Sequence, residues 1–359
     1  MTMSPPRPRA FGTGLIALDL VMSAEPETPV RSWAGGTCGN VLSILAYLGW
    51  DAYPIGRMNG DAASQRVKAD MKRCGVRLDF ASTAPVCHTP IIIQEIRRKR
   101  DGTPTHRFSW ACPHCGQWLP GYKGITLQAV EAVAPHLEGA GVFFMDRLSR
   151  AALTLAQKAS AAGALIVFEP SGKSDPKLLS EALSLAHVVK YADQRLGAVG
   201  GVMESDAATV VEIQTLGAAG LRYRHRLGRG VSTWKTLPAV PALRLLDTCG
   251  SGDWCTAGLI AKAGRNGLAS LRAGGAKGLE AGLRYGQTLA AWNCGFEGAR
   301  GGMYALDASI LDEQMTALLA GKTEIPAAAR PDRAAKAIAC PACPPRRSKT
   351  LTAASRKAA

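Results

Sequence analysis

Short apolar runs alternate with amphipathic segments along most of the chain. Apolar runs of strand length occupy residues 51–56, 141–145, 164–168, 187–190 and 209–214. Helical spacing marks residues 41–48, 61–74, 149–162, 176–185 and 193–197. Strands that alternate with helices in this way predict a parallel sheet covered by helices on both faces. The long apolar run at residues 10–21 predicts one further buried strand.

A second pattern indicates a small β appendage on this sheet. Two segments of alternating hydrophobicity, 90–96 and 105–110, flank Asp101-Gly102, a dipeptide typical of hairpin turns. The glycine-rich segment 33–40 predicts a turn that leads into the helix at 41–48. The hairpin and the turn interrupt the regular alternation of strand and helix, so we expect them to stand apart from the main sheet.

The composition is that of an ordinary globular protein. The chain has 359 residues, 47% of them hydrophobic, which is enough for a full core. No apolar run approaches the roughly 18 residues that cross a bilayer, which excludes an integral membrane protein. Residues 1–9 are expected to be loose, and no secretory signal is evident. The ten scattered cysteines are expected to be reduced thiols in a cytoplasmic protein.

The charge is strongly basic, and the end of the chain carries much of it. Lys and Arg number 43 against 28 Asp and Glu, which gives a net charge of +15. Residues 331–359 contain seven basic residues and one acidic residue without periodicity, which predicts a disordered basic tail. A basic chain can bind nucleic acid. We favour a solvated basic surface and keep nucleic-acid binding as the alternative.

The segment richest in chemistry reads D-T-C-G-S-G-D at residues 247–253 and precedes a predicted helix at 254–263. A glycine turn at a helix start exposes backbone N–H groups, and these together with the helix dipole attract anions. The carboxylate of Asp253 either caps this helix or accepts a proton from a hydroxyl beside a bound anion. The second arrangement suits phosphoryl transfer to an alcohol.

This motif resembles the second signature of the PfkB, or ribokinase-like, carbohydrate kinases. Three further segments resemble motifs of the same family in the same order: G-G-T-C-G-N at 35–40, G-R-M-N-G-D at 56–61 and T-L-G-A-A-G at 215–220. The resemblance covers about residues 10–319. It implies an α/β fold, a ribokinase-like three-layer α/β/α sandwich in residues 10–330, with a small β lid built from strands near 28–34 and 86–111.

The resemblance also implies roles for individual residues. Asp253 would be the catalytic base, and the anion hole would consist of Gly250, Ser251 and Gly252. The substrate would be bound by Asp19, Gly35, Gly36 and Asn40. The ATP site would be lined by Thr215, Gly217 and Gly220, with Asn293 near the adenine. Asp247 stands where some relatives bind a monovalent cation such as K⁺.

One expected element departs from the family pattern. The family has N-x-x-E or S-x-x-E after the strand at 187–190, and this element helps to organise Mg²⁺ and phosphates. Here the segment at 190–195 reads K-Y-A-D-Q-R, with Arg195 where the glutamate is expected. Either Asp193 or Glu169 substitutes for that glutamate, or Mg²⁺ is held mainly by water and phosphate.

The resemblance therefore implies an ATP- and Mg²⁺-dependent kinase that phosphorylates a hydroxyl of a small sugar or sugar-like molecule. Two alternatives stay open. A nucleoside kinase shares these motifs, and a catalytically silent sensor of sugar or nucleotide would also carry an altered metal element. Relatives often dimerise through the lid, so a homodimer is expected there.

Two CxxC pairs form a separate candidate site. Cys112 and Cys115, together with Cys340 and Cys343, could supply the four thiolates of a structural zinc site. More than 220 residues separate the two pairs, and the second lies in the predicted tail. We favour paired thiols without metal near the edge of the lid.

Overall fold

The computed structural model describes residues 6–25, 28–82, 87–112, 115–172, 174–193, 202–203 and 208–322. The predicted basic tail at 331–359, the Cys340–Cys343 pair and all but the first residue of the predicted helix at 193–197 lie outside these residues. Within the described part of the chain, no helix has the length and apolar character needed to cross a bilayer.

A large sheet of eight strands forms the centre of the fold. Its strands are β1 (Arg9–Thr13), β4 (Asp51–Ile55), β7 (Ala140–Met145), β8 (Leu165–Phe168), β9 (Val188–Ala192), β10 (Val211–Thr215), β11 (Leu221–His225) and β12 (Lys235–Leu237). Their order is β12-β11-β10-β9-β8-β7-β1-β4. The pairs from β4 through β10 are parallel, and the last two strands join in antiparallel fashion. The predicted parallel sheet is confirmed.

Helices cover both faces of this sheet. They are α1 (Thr37–Tyr47), α2 (Ala62–Arg73), α3 (Leu127–Val133), α4 (Arg150–Ala161), α5 (Pro176–Leu185), α6 (Ser251–Ala263), α7 (Gly267–Asn293), α8 (Gly301–Ala305) and α9 (Leu311–Leu319). Successive strand residues point to opposite faces. Phe144 therefore packs in the hydrophobic cluster that contains α1, α6 and α7, whereas Phe143 packs with α3, α4 and α5. The three-layer sandwich follows from this alternation.

A second sheet of four strands stands beside the large one. Its strands are β2 (Ala17–Met22), β3 (Arg31–Gly35), β5 (Ile91–Arg98) and β6 (Pro104–Ser109), in the order β3-β2-β5-β6. This small sheet contains the predicted hairpin and the predicted lid segments. It also contains β2, which the hydropathy pattern does not separate from the main sheet.

The prediction of one strand over residues 10–21 is wrong, because the chain changes sheet at Gly14. Gly14 has φ +151°, and a Cβ on it would lie 1.7 Å from Oδ1 of Asp146. The same carboxylate oxygen accepts a 2.9 Å hydrogen bond from the backbone N–H of Leu15. Apolar residues continue through the break, so hydropathy alone gives no sign of it.

Two further features of the backbone depend on single glycines. The predicted turn at 33–40 is the end of β3 and the start of α1, and only Gly36, with φ +76°, has turn geometry. The helix that ends at Asn293, α7, begins at Gly267 and is kinked at Gly275. Gly275 has φ +55° and ψ −158°, which a helix pattern does not reveal.

Candidate active site

The start of α6 forms the floor of the candidate site. Gly250 is the N-cap residue in the left-handed conformation, with φ +76°, and no side chain caps the helix. A Cβ on Gly250 would lie 2.3 Å from the carbonyl oxygen of Ala299, so the turn requires glycine. The first turn of α6 also contains Gly252, and its predicted anion-hole partner Ser251 is only partly buried. This helix start therefore has the geometry of an anion cradle.

Asp253 is held beside the first turn of α1. Nδ2 of Asn40 donates a 2.7 Å hydrogen bond to Oδ2 of Asp253. Asn40 is 4% exposed, and among the described residues its Oδ1 has no hydrogen-bond partner. A contact between residues 213 positions apart thus joins the early glycine motif to the D-T-C-G-S-G-D motif.

Asp19 lies beside the two early glycines. A Cβ on Gly35 would lie 1.8 Å from Oδ2 of Asp19, and a Cβ on Gly36 would lie 2.4 Å from the carbonyl oxygen of Leu15. Both glycines therefore make room for neighbouring protein atoms. Burial raises the pKa of Asp19 to about 7, although the Arg300 guanidinium and the backbone N–H of Gly36 act in the opposite direction. Oδ1 of Asp19 is buried and has no partner among the described residues.

The carboxyl ends of β8, β9 and β10 meet next to this helix start. Glu169 follows β8, Lys190 lies in β9, and Thr215 ends β10. Thr215 pairs in register with Ala192, and its hydroxyl lies 3.5 Å from the carbonyl oxygen of Tyr191. Ligands of open parallel sheets bind at this edge.

The predicted nucleotide loop is a single tight turn after β10. Gly217 begins a 3₁₀ turn with φ +59°, and Gly220 ends it with φ +94°. A Cβ on Gly220 would lie 2.2 Å from the carbonyl oxygen of Leu237, so the loop packs closely on the end of β12. The three predicted ATP-site residues of this loop stand together at one edge of the sheet.

A buried ion pair connects these strand ends to α6. Nζ of Lys190 donates a 2.9 Å hydrogen bond to Oε2 of Glu169, and the hydroxyl of Thr256 in α6 donates to Oε1 of the same carboxylate. Burial lowers the pKa of Lys190, but the Glu169 carboxylate together with Cys255 and Asp253 outweighs burial, so the pKa lies above its ordinary value. Lys190 is therefore a cation within the site.

Comparisons with known proteins agree with this geometry. The model of the pfkB family carbohydrate kinases matches residues 23–305. The chain belongs to the pfkB family. No curated protein sequence matches it significantly.

Three solved kinase structures illustrate the similarity in fold. Arabidopsis thaliana ribokinase, complexed with ribose and ATP, has a TM-score of 0.62 at 17% identity over 86% of this chain and 99% of its own. Burkholderia thailandensis nucleoside kinase, in complex with inosine, has a TM-score of 0.61 at 20% identity, and the match covers 87% of this chain and 97% of the nucleoside kinase. Xylella fastidiosa fructokinase with bound ATP has a TM-score of 0.64 at 17% identity, and the match covers 88% of this chain and 99% of the fructokinase. The ribokinase-like fold is thereby confirmed.

Asp247 of this pfkB-family protein does not fit a monovalent cation. Its Oδ1 accepts a 2.9 Å hydrogen bond from the backbone N–H of Cys249, and its Oδ2 accepts bonds of 2.9 Å from Gly298 and 2.7 Å from Nε2 of Gln94. Nδ1 of His106 lies 3.7 Å from Oδ1. Cations need oxygen ligands, and this carboxylate is instead surrounded by N–H donors.

Glu169 likewise does not fit a direct Mg²⁺ ligand. Both of its oxygens accept hydrogen bonds, and one of the donors is the ammonium of Lys190. No group of three or more potential metal ligands occurs among the described residues. Asp193, the other candidate, accepts a 3.0 Å hydrogen bond from Gln214. The donor set therefore supports the alternative in which Mg²⁺ arrives with ATP and is held by phosphate and water.

The side-chain amide of Asn293, predicted to lie near the adenine, is engaged within the protein. It is fully buried at the end of α7, where Nδ2 lies 3.2 Å from the carbonyl oxygen of Ala299 and Oδ1 accepts a 3.1 Å bond from the N–H of Gly302. Because the loop behind Gly250 uses both ends of this amide, Asn293 offers no side-chain group to an adenine.

Only one CxxC pair of the candidate zinc site belongs to the described residues. Cys112 is buried and Cys115 is exposed, at the edge of the small sheet. Their presumed partners, Cys340 and Cys343, lie outside the described ranges. The absence of a metal at these thiols, and the alternative of a four-thiolate zinc site, therefore both stay predictions.

Sequence reasoning missed a buried charged cluster behind Asp19. The carboxylate of Asp70, on α2, accepts hydrogen bonds of 3.0 Å from Arg300 and 2.8 Å from the hydroxyl of Tyr304. Arg300 is 1% exposed, and Asp70 is equally buried. The ring of Tyr304 stacks on Trp33 with centroids 4.6 Å apart. The only signal in the sequence is an aspartate on the apolar face of a predicted helix.

Proposed function

We propose that this protein is an ATP-dependent kinase that phosphorylates a hydroxyl group of a small sugar or sugar-like molecule. The observation that carries the proposal is the hydrogen bond between Asn40 and Asp253, which places a carboxylate beside both the early glycine motif and the helix start. The ligands of the similar ribokinase and fructokinase structures, ribose and ATP, support the substrate class.

The reaction requires the acceptor hydroxyl near Asp253. The carboxylate takes the hydroxyl proton as the oxygen attacks the γ-phosphorus of ATP, and the bond from that phosphorus to the β-phosphate oxygen breaks to release ADP. The backbone N–H groups at Gly250–Gly252 stabilise negative charge on the transferred group. Mg²⁺ enters as part of the MgATP substrate.

Two unpartnered buried oxygens suit an acceptor rich in hydroxyl groups. Oδ1 of Asp19 and Oδ1 of Asn40 have no hydrogen-bond donor among the described residues. A buried acceptor without a donor is costly, by about 1–3 kcal/mol. Hydroxyl groups of a bound sugar would supply these donors, which favours a polyol over an apolar acceptor.

The nucleoside alternative depends on the same site. The similar nucleoside kinase structure contains inosine, whose ribose also carries hydroxyl groups. A panel of sugars and nucleosides, assayed by ADP release with MgATP, separates the two substrate classes.

We place the activity in the cytoplasm. We also expect a homodimer that forms through the small sheet, and sedimentation of the purified protein tests this expectation.

The decisive variant is Asp253→Asn, which keeps an oxygen that can accept from Asn40. We expect turnover to fall by at least about 10²-fold, because the base is lost, while the thermal shift caused by ATP is unchanged. Asp312→Asn, at an exposed carboxylate in the first turn of α9, is the matched control and should keep full activity.

Two results would contradict the proposal. Turnover of Asp253→Asn within threefold of the wild-type rate would show that Asp253 is not the catalytic base. Stabilisation of the wild-type protein by sugar or nucleotide, without ADP release for any acceptor, would instead indicate a silent sensor.

A further inference from the structure

The ammonium of Lys190 lies directly beneath the glycine turn. The side chain is 3% exposed, and Nζ lies 3.5 Å from the position that a Cβ on Gly252 would occupy. Apart from residues 251 and 253 and the backbone of α6, no other described atom lies within 4 Å of that position. The open side of the turn at Gly252 therefore faces a buried cation.

This cation has unused hydrogen-bonding capacity. An ammonium carries three N–H donors, and in the described ranges Lys190 makes one hydrogen bond, to Glu169. Buried N–H groups are nearly always partnered in native proteins. The two remaining donors point to an anionic or oxygen-rich ligand that is present only in a complex.

Glu169 fixes the direction of the ammonium. Its second oxygen accepts from the hydroxyl of Thr256, which also lies 3.2 Å from the carbonyl oxygen of Gly252. Thr256 is one turn along α6 from Gly252, so the carboxylate is anchored to the same helix that forms the anion cradle. The Lys190 ammonium is thereby already held at the helix start, and the side chain does not have to reorient when a ligand binds there.

We propose that Lys190 is a resident cationic contact for the terminal phosphate of ATP at Gly252, and that Glu169 is its positioning residue. This inference rests on the proposed kinase function. Lys190 stays protonated throughout and transfers no proton. It provides fixed positive charge next to the N–H groups of α6, at a position where Glu169 is unsuited to bind Mg²⁺ directly. A preorganised charge of this kind acts without solvent reorganisation.

A purely structural ion pair makes a different prediction. Neutral residues of similar shape commonly replace a buried ion pair with little loss of stability, and they would leave ligand binding unchanged. The test therefore removes both charges together, as Lys190→Met with Glu169→Gln. The glutamine can still accept from Thr256, so the double variant avoids a buried unpaired carboxylate.

The experiment compares two nucleotides by isothermal titration calorimetry in the presence of Mg²⁺. The probes are ADP and an ATP analogue whose β,γ-bridge cannot be hydrolysed. We expect the double variant to bind ADP within twofold of the wild-type affinity and to bind the analogue about tenfold more weakly, because one charge-assisted contact is lost. The control neutralises the exposed pair of α7, as Arg284→Met with Glu280→Gln, and should bind both nucleotides normally.

The outcomes separate this inference from the proposed function. If the wild-type protein binds neither nucleotide, the proposed function fails and the Lys190 assignment fails with it. If the wild-type protein binds both and the folded double variant does too, with unchanged affinities, only the Lys190 assignment is overturned. Equal weakening for ADP and the analogue also overturns it, since the contact would then not be to the terminal phosphate. Thermal unfolding establishes that the variant is folded.

Discussion

Gln94 of the small sheet donates a 2.7 Å hydrogen bond from Nε2 to Oδ2 of Asp247, the first residue of the D-T-C-G-S-G-D motif. The two residues are 153 positions apart, and both are buried. The contact joins β5 to the segment that leads into α6. The position of the small sheet and the geometry of the glycine turn are therefore coupled through one carboxylate.

Replacing Gln94 with Ala should destabilise the protein by about 1.5–3 kcal/mol, because a hydrogen bond to a buried charged acceptor is lost. Chemical denaturation monitored by tryptophan fluorescence measures this difference. The matched control is Gln65→Ala, at an exposed position on α2, which should change stability by less than about 0.5 kcal/mol. Equal effects of the two substitutions would show that the Asp247 contact contributes nothing.

Activity should not depend on potassium. N–H donors contact both oxygens of Asp247, so a cation bound there would lie among the positive ends of N–H groups. ADP-release rates measured in KCl and in choline chloride at the same ionic strength should agree within about twofold, the residual coming from general ionic effects. Strong activation by K⁺ alone would contradict this prediction and would mean that the contacts of Gln94 and His106 with Asp247 rearrange during the reaction.

The parts of this fold that could be predicted are those with local signals. The bounds of α5 are the predicted ones, 176–185, because Asp175 caps the helix and Pro176 begins it. The glycine turn before α6 was also evident, because glycine is needed at φ +76° and the following helix is regular. Local turn and cap chemistry leaves a trace in the sequence whenever a specific residue type is required.

The remainder depends on contacts between distant segments. Gln94 and His106 carry no motif, so nothing in the sequence indicates that they surround Asp247. The change of sheet at Gly14 lies within one apolar run, because residues on both sides of it are buried in different sheets. The roles of Asp247 and of the 10–21 segment could therefore be read only from the folded chain.

Gly250→Ala should destabilise the protein far more than the same change at Gly49. Both glycines have positive φ, +76° and +88°, so each substitution costs about 1 kcal/mol in backbone strain. At Gly49 nothing lies within 4 Å of the added Cβ, whereas at Gly250 it would lie 2.3 Å from a carbonyl oxygen. Urea denaturation of both variants measures the difference. Equal losses of stability in the two variants would show that the backbone of the turn before α6 shifts at little cost to relieve the contact with the added Cβ.

The pH dependence of stability should contain a contribution from Asp19. Burial raises the pKa of this carboxyl from 3.8 to about 7, so the folded state holds its proton more tightly than the unfolded state. Its contribution is fully present below about pH 4 and is lost as the pH rises to about 7, on the order of 4 kcal/mol in total. The charged groups behind it, Arg300 and Asp70, form an ion pair of their own.

Asp19→Asn should remove this contribution, because an amide does not titrate. The variant should be more stable than the wild-type protein at pH 8 and should differ little at pH 4, as measured by urea denaturation at both values. Its substrate affinity should fall, since Asp19 supplies one of the two unpartnered acceptors. An unchanged difference in stability between the two pH values would contradict the raised pKa.

The buried pair of Asp70 and Arg300 provides the sharpest test of how the substrate side of the site is supported. Arg300 is 1% exposed, so Asp70→Ala would leave its charge buried and unpaired and should cost about 3–5 kcal/mol. Replacing both residues, as Asp70→Leu with Arg300→Met, should recover most of that loss. The hydroxyl of Tyr304 loses its acceptor in either case, and its ring should keep its stacking on Trp33. Denaturation of the single and double variants measures the coupling, and a double variant as unstable as Asp70→Ala would show that packing, not the unpaired charge, governs this cluster.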